Sequence, residues 1–379
     1  MAEWTEIALV AALGSALSWL SLRYKFPNAV AQVLLGVLLG TAILGWVPHS
    51  PLLHYVGVMG VVLLLGAAGL KLRIGRLKAA GLAGVAVAAV GIALSVGGGF
   101  AVADRFGFPV DEALYVGLAL GATSIGITVQ VLEQFGLIGH RVADVLIAAA
   151  VIDDVVVLYL LGAAHGFLSD GISAAETAGY ILLAGLVLAG LFLVSRAATR
   201  AAYRCELIRT RLPRAVWALA CIAFGAILTQ SLDLSLVVGA FFAGVGVGEG
   251  MPHEASEHSA AKLQPLVLLL MPFFFIMIGV QADLDILDVP GMRWFVVILI
   301  VTAVAGKAIG GVIGALRDNG WRDRWLIGFG MVARGEVCLI IATLGFELGH
   351  VSRPVFVSLV LMTITVAALG PLLMAPLAK

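Results

Sequence analysis

Two aspartates, Asp153 and Asp154, stand side by side inside the apolar run Ala148-Ala149-Ala150-Val151-Ile152-Asp153-Asp154-Val155-Val156-Val157-Leu158. With its flanks this run is long enough to cross a bilayer. An ionised acid at the centre of a membrane helix costs about 2.5–3.5 kcal/mol on insertion scales, and two adjacent carboxylates repel each other. A chain keeps such a pair where a cation or a proton must be held at mid-membrane. The plainer alternative is an ion pair that only fastens helices together.

The rest of the chain is built for the same environment. Of 379 residues, 61% are apolar and 12% charged, and the mean hydropathy is +1.09. Apolar runs of bilayer length recur from end to end without the alternation of barrel strands. The 46 glycines allow close helix packing and helix breaks. A formal net charge of zero implies no polyanionic partner and no nucleic acid. Cys205, Cys221 and Cys338 have no metal or redox spacing and read as unpaired thiols. The seven histidines fall in loops or at span ends, again without metal spacing and mostly solvated. No phosphate loop or nucleophile–base pair is present, so neither an enzyme nor a resident cofactor is expected. The acidic start Met1-Ala2-Glu3-Trp4-Thr5-Glu6 lacks the basic region of a cleaved signal, so the first span is expected to be retained. No polar segment is long enough for a soluble domain.

Thirteen spans are expected, at about 4–22, 28–45, 52–70, 79–103, 112–132, 142–163, 177–196, 214–232, 234–249, 264–281, 292–316, 325–346 and 354–377. Part of the polar stretch Arg196–Arg214 reads as a basic helix on the membrane surface. Alternate loops hold 18 basic residues and the opposite set only Arg105, Arg293 and Arg353. By the positive-inside rule the N-terminus is outside and the C-terminus is on the cytoplasmic side of a cell inner (plasma) membrane. The charges left inside spans are Asp153, Asp154, Glu336, Lys307 and Arg334.

Spans 1–6 and 8–13 run in opposite senses about span 7, which suits two inverted repeats, 6+1+6. Matching positions are unusual in both halves. Span 5 carries Gly121-Ala122-Thr123-Ser124-Ile125-Gly126-Ile127-Thr128, and span 12 carries Gly328-Phe329-Gly330-Met331-Val332-Ala333-Arg334-Gly335-Glu336. Glycine costs about 1 kcal/mol in a helix relative to alanine. Matched weak helices in two halves point to a transport site.

Thr123, Ser124 and Thr128 can satisfy carbonyls freed by a break or join an ion's oxygen shell. Neighbours on a helix point about 100° apart, so one aspartate can pair with a cation on another helix while the other faces the ion path. Lys307, about 15 Å from the nearest helix end, is that cation, and a buried lysine can also carry a proton. Arg334 and Glu336 face different sides and suit compensation of half-helix ends: Arg334 at a negative C-terminus, Glu336 at a positive N-terminus.

Ala122-Thr123-Ser124-Ile125-Gly126-Ile127-Thr128, Ala149-Ala150-Val151-Ile152-Asp153-Asp154, Met271-Pro272-Phe273-Phe274-Phe275 and Arg334-Gly335-Glu336-Val337 together resemble the monovalent cation:proton antiporter family, second branch, and within it the bacterial sodium/proton antiporters with an Asp-Asp pair. The resemblance covers the whole membrane unit. It implies an all-α polytopic protein with two crossed, discontinuous helices, here spans 5 and 12. It implies a core domain, from spans at about 52–163 and 264–377, and a dimerisation domain, from about 4–45 and 214–249, with a linker helix at about 177–196. By the same resemblance Asp154 is the alternating Na⁺ and proton site, Asp153 pairs with Lys307, and the protein is a homodimer. Lys71 and Ala333 depart from the family's usual acid and proline.

The function expected is exchange of Na⁺ (or Li⁺) for H⁺ by alternating access, electrogenic if the Asp153–Lys307 pair also cycles a proton. The partners are monovalent cations, protons and membrane lipid. A K⁺/H⁺ antiporter or K⁺ efflux protein, and a Na⁺-coupled organic solute symporter, are the alternatives.

Overall fold

The computed structural model describes residues 2–24, 28–40, 43–47, 51–72, 81–124, 127–128, 132, 137, 140–168, 174–206, 208, 213–232, 234, 236–282, 284–316 and 320–378. Among these the regular structure is entirely helical. The helices are α1 (Ala2–Tyr24), α2 (Asn28–Leu39), α3 (Pro51–Lys71), α4 (Gly81–Arg105), α5 (Val110–Gly121), α6 (Arg141–Leu168), α7 (Ala174–Arg204), α8 (Arg214–Gln230), α9 (Leu236–Gly250), α10 (His253–Gln281), α11 (Met292–Gly314), α12 (Trp321–Gly330), α13 (Glu336–Glu347) and α14 (Arg353–Ala378). Six helical stretches of the described residues are long and apolar enough to cross a membrane: Gly81–Arg105, Arg141–Gly162, Leu182–Arg204, His253–Asp288, Met292–Gly314 and Arg353–Leu377.

Two expectations change. The basic residues from Arg196 to Arg204 do not form a separate surface helix. They continue α7 without a break, because nothing between 196 and 204 interrupts the helix. The second helix stops at Leu39 rather than near 45, where Gly40 leads into a turn and the chain reverses at Gly45 with φ +65°.

Two compact units emerge. One comprises 1–15, 50–74 and 158–274; the other comprises 16–49, 75–157 and 275–379.

In the first unit α9 is central and buried along nearly its whole length. Its glycines serve three neighbours. A Cβ at Gly244 would lie 2.2 Å from the Gly66 carbonyl oxygen of α3, one at Gly239 would lie 2.3 Å from the Gly225 oxygen of α8, and one at Gly246 would lie 2.5 Å from the Phe192 oxygen of α7. Lipid tails are as apolar as leucine, so membrane helices gain by close backbone approach rather than by burying apolar surface from water. That is why this helix is one-third glycine.

In the second unit α4 and α11 are pressed together along Gly306, Gly310 and Gly314. A Cβ at Gly310 would lie 2.5 Å from the Gly91 Cα, and one at Gly314 would lie 2.4 Å from the Val87 Cα. Gly117 sets α5 against α4, where its Cβ would meet the Val96 carbonyl oxygen at 2.6 Å. Gly311 sets α11 against α12, where its Cβ would meet the Gly328 Cα at 2.5 Å. These approaches link α5, α4, α11 and α12 in succession. Around α6 and α12 an apolar cluster that includes Val142, Leu146, Ala149, Ile327 and Met331 completes the packing.

Candidate functional site

Both glycine-rich spans are broken where the sequence is weakest. Helix α5 opens after Pro109 with Asp111 and Glu112 in its first turn, where acids suit the positive helix end. It ends at Gly121, and Ala122 turns extended (φ −67°, ψ 150°). In the other span α12 ends at Gly330, and α13 restarts after Gly335. The interruptions cross: the Ser124 amide donates to the Ala333 carbonyl at 2.9 Å. The crossing is tight, since a Cβ on Gly335 would stand 2.7 Å from Ser124 Oγ.

A break frees backbone groups that lipid cannot satisfy, and side chains take them up here. The Thr128 hydroxyl lies 2.9 Å from the Ser124 carbonyl and 3.0 Å from the Gly330 carbonyl, bridging one broken helix to the other. Arg334 is fully buried. Its guanidinium donates to the Ala122 carbonyl oxygen at the end of α5 and reaches the Ala303 carbonyl of α11 at 3.4 Å. A fixed positive charge thus faces the negative end of α5. Glu336 begins α13; its side chain lies outside the described residues.

Beside this crossing, α6 presents the aspartates. Asp153 is fully buried, as is Lys307 on α11. Lys307 Nζ donates to Asp153 Oδ2, forming a buried ion pair. Thr123 Oγ1 donates to the same oxygen at 2.7 Å. Asp153 Oδ1 is buried with no hydrogen-bond partner among the described residues. Asp154, next on the helix, is only partly buried, and its charge lies within electrostatic reach of Lys307. One carboxylate is therefore locked to lysine and threonine, while its neighbour on the same helix is less completely buried. Asp153, Lys307, Thr123, Ser124, Thr128 and Arg334 all converge on this one region.

Several participants were not legible in the sequence. The Ala122, Gly330 and Ala333 carbonyls act through the backbone and leave no side-chain signal. Gly91 stands beside Lys307, and only its spacing opposite Gly306, Gly310 and Gly314 hints at that. Glu112 was expected in the loop at the start of span 5, yet it is buried. It accepts from the Ser352 amide at 2.7 Å and from the Ser352 hydroxyl at 2.5 Å, at the start of α14. His350, expected to be solvated, is half-buried and stacks on Tyr115 with centroids 5.6 Å apart, its Nδ1 lying 3.4 Å from Asp111. The three cysteines are free thiols. The described residues hold no group of three or more metal-binding side chains.

Residues 8–379 match the family model described as sodium/hydrogen exchanger, transmembrane. The chain belongs to the sodium/hydrogen exchanger family. Among relatives of this exchanger, the Na⁺/H⁺-K⁺ antiporter GerN of Bacillus cereus is 32% identical over 97% of the chain and 94% of the relative. A Na⁺/H⁺ antiporter of Enterococcus hirae is 30% identical over 94% and 93%. The solved structure of the sodium proton antiporter MjNhaP1 from Methanocaldococcus jannaschii superposes with a TM-score of 0.70, covering 100% of the exchanger and 99% of that chain at 18% identity; at that identity the likeness is one of fold. The exchanger is a multi-pass membrane protein and a monovalent cation:proton antiporter, a transporter rather than an enzyme.

Proposed function

We propose that the protein exchanges Na⁺ (or Li⁺) for H⁺ across a bacterial inner membrane by alternating access, with Asp154 as the shared site for both. The reading is carried by one observation. Of two adjacent intramembrane carboxylates, Asp153 is bound to Lys307 and to Thr123 of the first helix break, while Asp154, the next residue on the helix, is the less buried of the two. Hard cations prefer oxygen ligands. The Asp154 carboxylate, the hydroxyls of Thr123 and Ser124, and carbonyls at the breaks would supply them, with the Thr128 hydroxyl bracing those carbonyls. Arg334 and Glu336 would compensate the half-helix ends. A cation and a proton cannot both occupy one carboxylate, and that competition couples their movements.

Exchange would be electrogenic if the Asp153–Lys307 pair releases and regains a second proton in each cycle. A membrane potential would then contribute about 2.3 kcal/mol per net charge per 100 mV. The same reading takes thirteen crossings in a 6+1+6 inverted repeat, with the N-terminus outside and the C-terminus cytoplasmic, in a homodimer that serves pH homeostasis. The reading also takes a core, ion-translocating domain (about 52–163 and 264–377), a dimerisation domain (about 4–45 and 214–249) and a linker helix (about 177–196).

Transport of K⁺ is the second reading. It is favoured by the name of the Bacillus cereus relative and by a K⁺/H⁺ antiporter 1 of Saccharomyces cerevisiae, 26% identical over 89% of this chain. Family membership weighs against organic-solute symport. The deciding measurement is pH change inside vesicles of purified protein under imposed Na⁺, Li⁺ or K⁺ gradients. Asp154→Asn is expected to abolish it, and exchange that survives in that variant removes Asp154 from the mechanism. A rate indifferent to an imposed potential removes electrogenicity.

A further inference from the structure

Helix α4 passes Lys307 at Gly91. A Cβ there would lie 3.5 Å from Lys307 Cδ and 3.7 Å from Nζ, with no other atom of the described residues outside its own helix turn within 4 Å. Those are ordinary van der Waals separations. The other glycines of this seam have no such room, since Cβ atoms at Gly310 and Gly314 would lie 2.5 and 2.4 Å from opposing backbone, and one at Gly306 would lie 3.0 Å from Ser95 Oγ. Along this seam the described residues leave space for a side chain at position 91, and the space faces the ammonium.

Among the described residues that ammonium belongs to an under-bonded pair, with Arg334 and Asp154 the other charges in reach. Lys307 Nζ has three N–H donors, and the acceptor the structure places on it is Asp153 Oδ2. Asp153 Oδ1 is buried without a partner among the described residues. Inside a protein of low effective dielectric, one added or withheld polar atom beside such a pair changes the balance between its charged and neutral forms.

We infer that Gly91 is a positioning residue that sets how readily Lys307 gives up its proton, by leaving one flank of the ammonium bare. This rests on the proposal above that Lys307 cycles a proton. A methyl group at 91 would shield the ammonium and offer no acceptor, making the charged form less favourable. A serine hydroxyl there would offer an acceptor and make it more favourable. A glycine keeps the lysine between these limits.

The test is Na⁺-driven exchange in vesicles, recorded against pH for wild type, Gly91→Ala and Gly91→Ser. Gly97→Ala serves as control, since a Cβ there meets none of the described residues within 4 Å. Gly91→Ser should move the acidic limb of the profile to higher pH by about one unit, the size expected for one hydrogen bond to a charged group, and Gly91→Ala, which adds no acceptor, should move it to lower pH. The control should stay in place. Shifts in the same direction, or loss of rate with an unmoved profile, would assign Gly91 to helix packing alone. If Gly91→Ser does not fold, an unmoved profile in Gly91→Ala is enough to overturn the inference. Lys307→Gln separates the two layers. If it keeps both the voltage response and the profile of wild type, the proton cycle of Lys307 is wrong. If it loses the voltage response while both Gly91 variants match wild type, only the role of Gly91 is wrong.

Discussion

Arg334 and Ala122, 212 residues apart in sequence, meet in the interior: the guanidinium of one donates to the carbonyl oxygen of the other. That carbonyl closes α5, and the arginine lies in the break between α12 and α13, so each interruption completes the other. Removing the donor leaves a buried acceptor unsatisfied, at a cost of about 1–3 kcal/mol. Arg334→Leu, which has no donor, is expected to lower the melting temperature of detergent-purified protein and abolish exchange. Arg334→Lys keeps the charge but presents a compact ammonium in place of a planar fork, and it should recover stability more than transport.

Thr123 holds the oxygen of Asp153 that also receives Lys307. Hydrogen bonds to charged groups contribute about 1.5–3 kcal/mol. Thr123→Val withdraws a donor from the carboxylate, so a higher pH is needed to keep it ionised. The acidic limb of the exchange profile should move to higher pH by about one unit or more, while Thr123→Ser stays near wild type. A valine variant with an unchanged profile would mean that the hydroxyl contributes nothing to the pair.

If Na⁺ and H⁺ compete for Asp154, the apparent KM for Na⁺ should rise about tenfold for each pH unit lowered on the acidic limb, with the maximal rate preserved at saturating Na⁺, because one proton is exchanged per occupied site. A KM independent of pH there, with a falling maximal rate, would place protonation at a different group.

Glycines of α4 and α11 should divide sharply. Gly310→Ala forces a Cβ to within 2.5 Å of the Gly91 backbone, and overpacking of this kind costs about 1–3 kcal/mol. It should reduce both thermal stability and exchange. Gly97→Ala meets no neighbour among the described residues within 4 Å and should be neutral or stabilising, since alanine is the better helix former. Equal melting temperatures for the two variants would refute the close approach of these helices.

Glu112 caps α14 through the amide and hydroxyl of Ser352. Glu112→Gln keeps an acceptor and loses the charge beside a helix N-terminus, an effect of about 0.3–1 kcal/mol; Glu112→Ala loses both and should cost about 1–3 kcal/mol. Melting temperatures should fall in that order while the cation preference in vesicles is unchanged. A change in preference would place Glu112 on the ion path.

The all-helical class, the two weak spans and their break points were legible because each depends on local composition: apolar run length, glycine content and hydroxyls within one turn. Asp153, Asp154 and Lys307 stood out because a charge in an apolar run has few reasons to persist. The early end of α2 and the continuation of α7 through Arg204 were less legible, because run length and charge mark where a membrane segment can end, not where a helix must.

What the amino-acid order determined by itself was which groups are costly to bury, and so which must find partners. It could not say which partner each one takes. Lys307 with Asp153, Arg334 with the Ala122 carbonyl, Thr128 with the Gly330 carbonyl and Glu112 with Ser352 join residues up to 240 positions apart. Those pairings were decided by how closely glycine lets α4, α5, α11 and α12 approach, a property of facing backbones that no single segment contains.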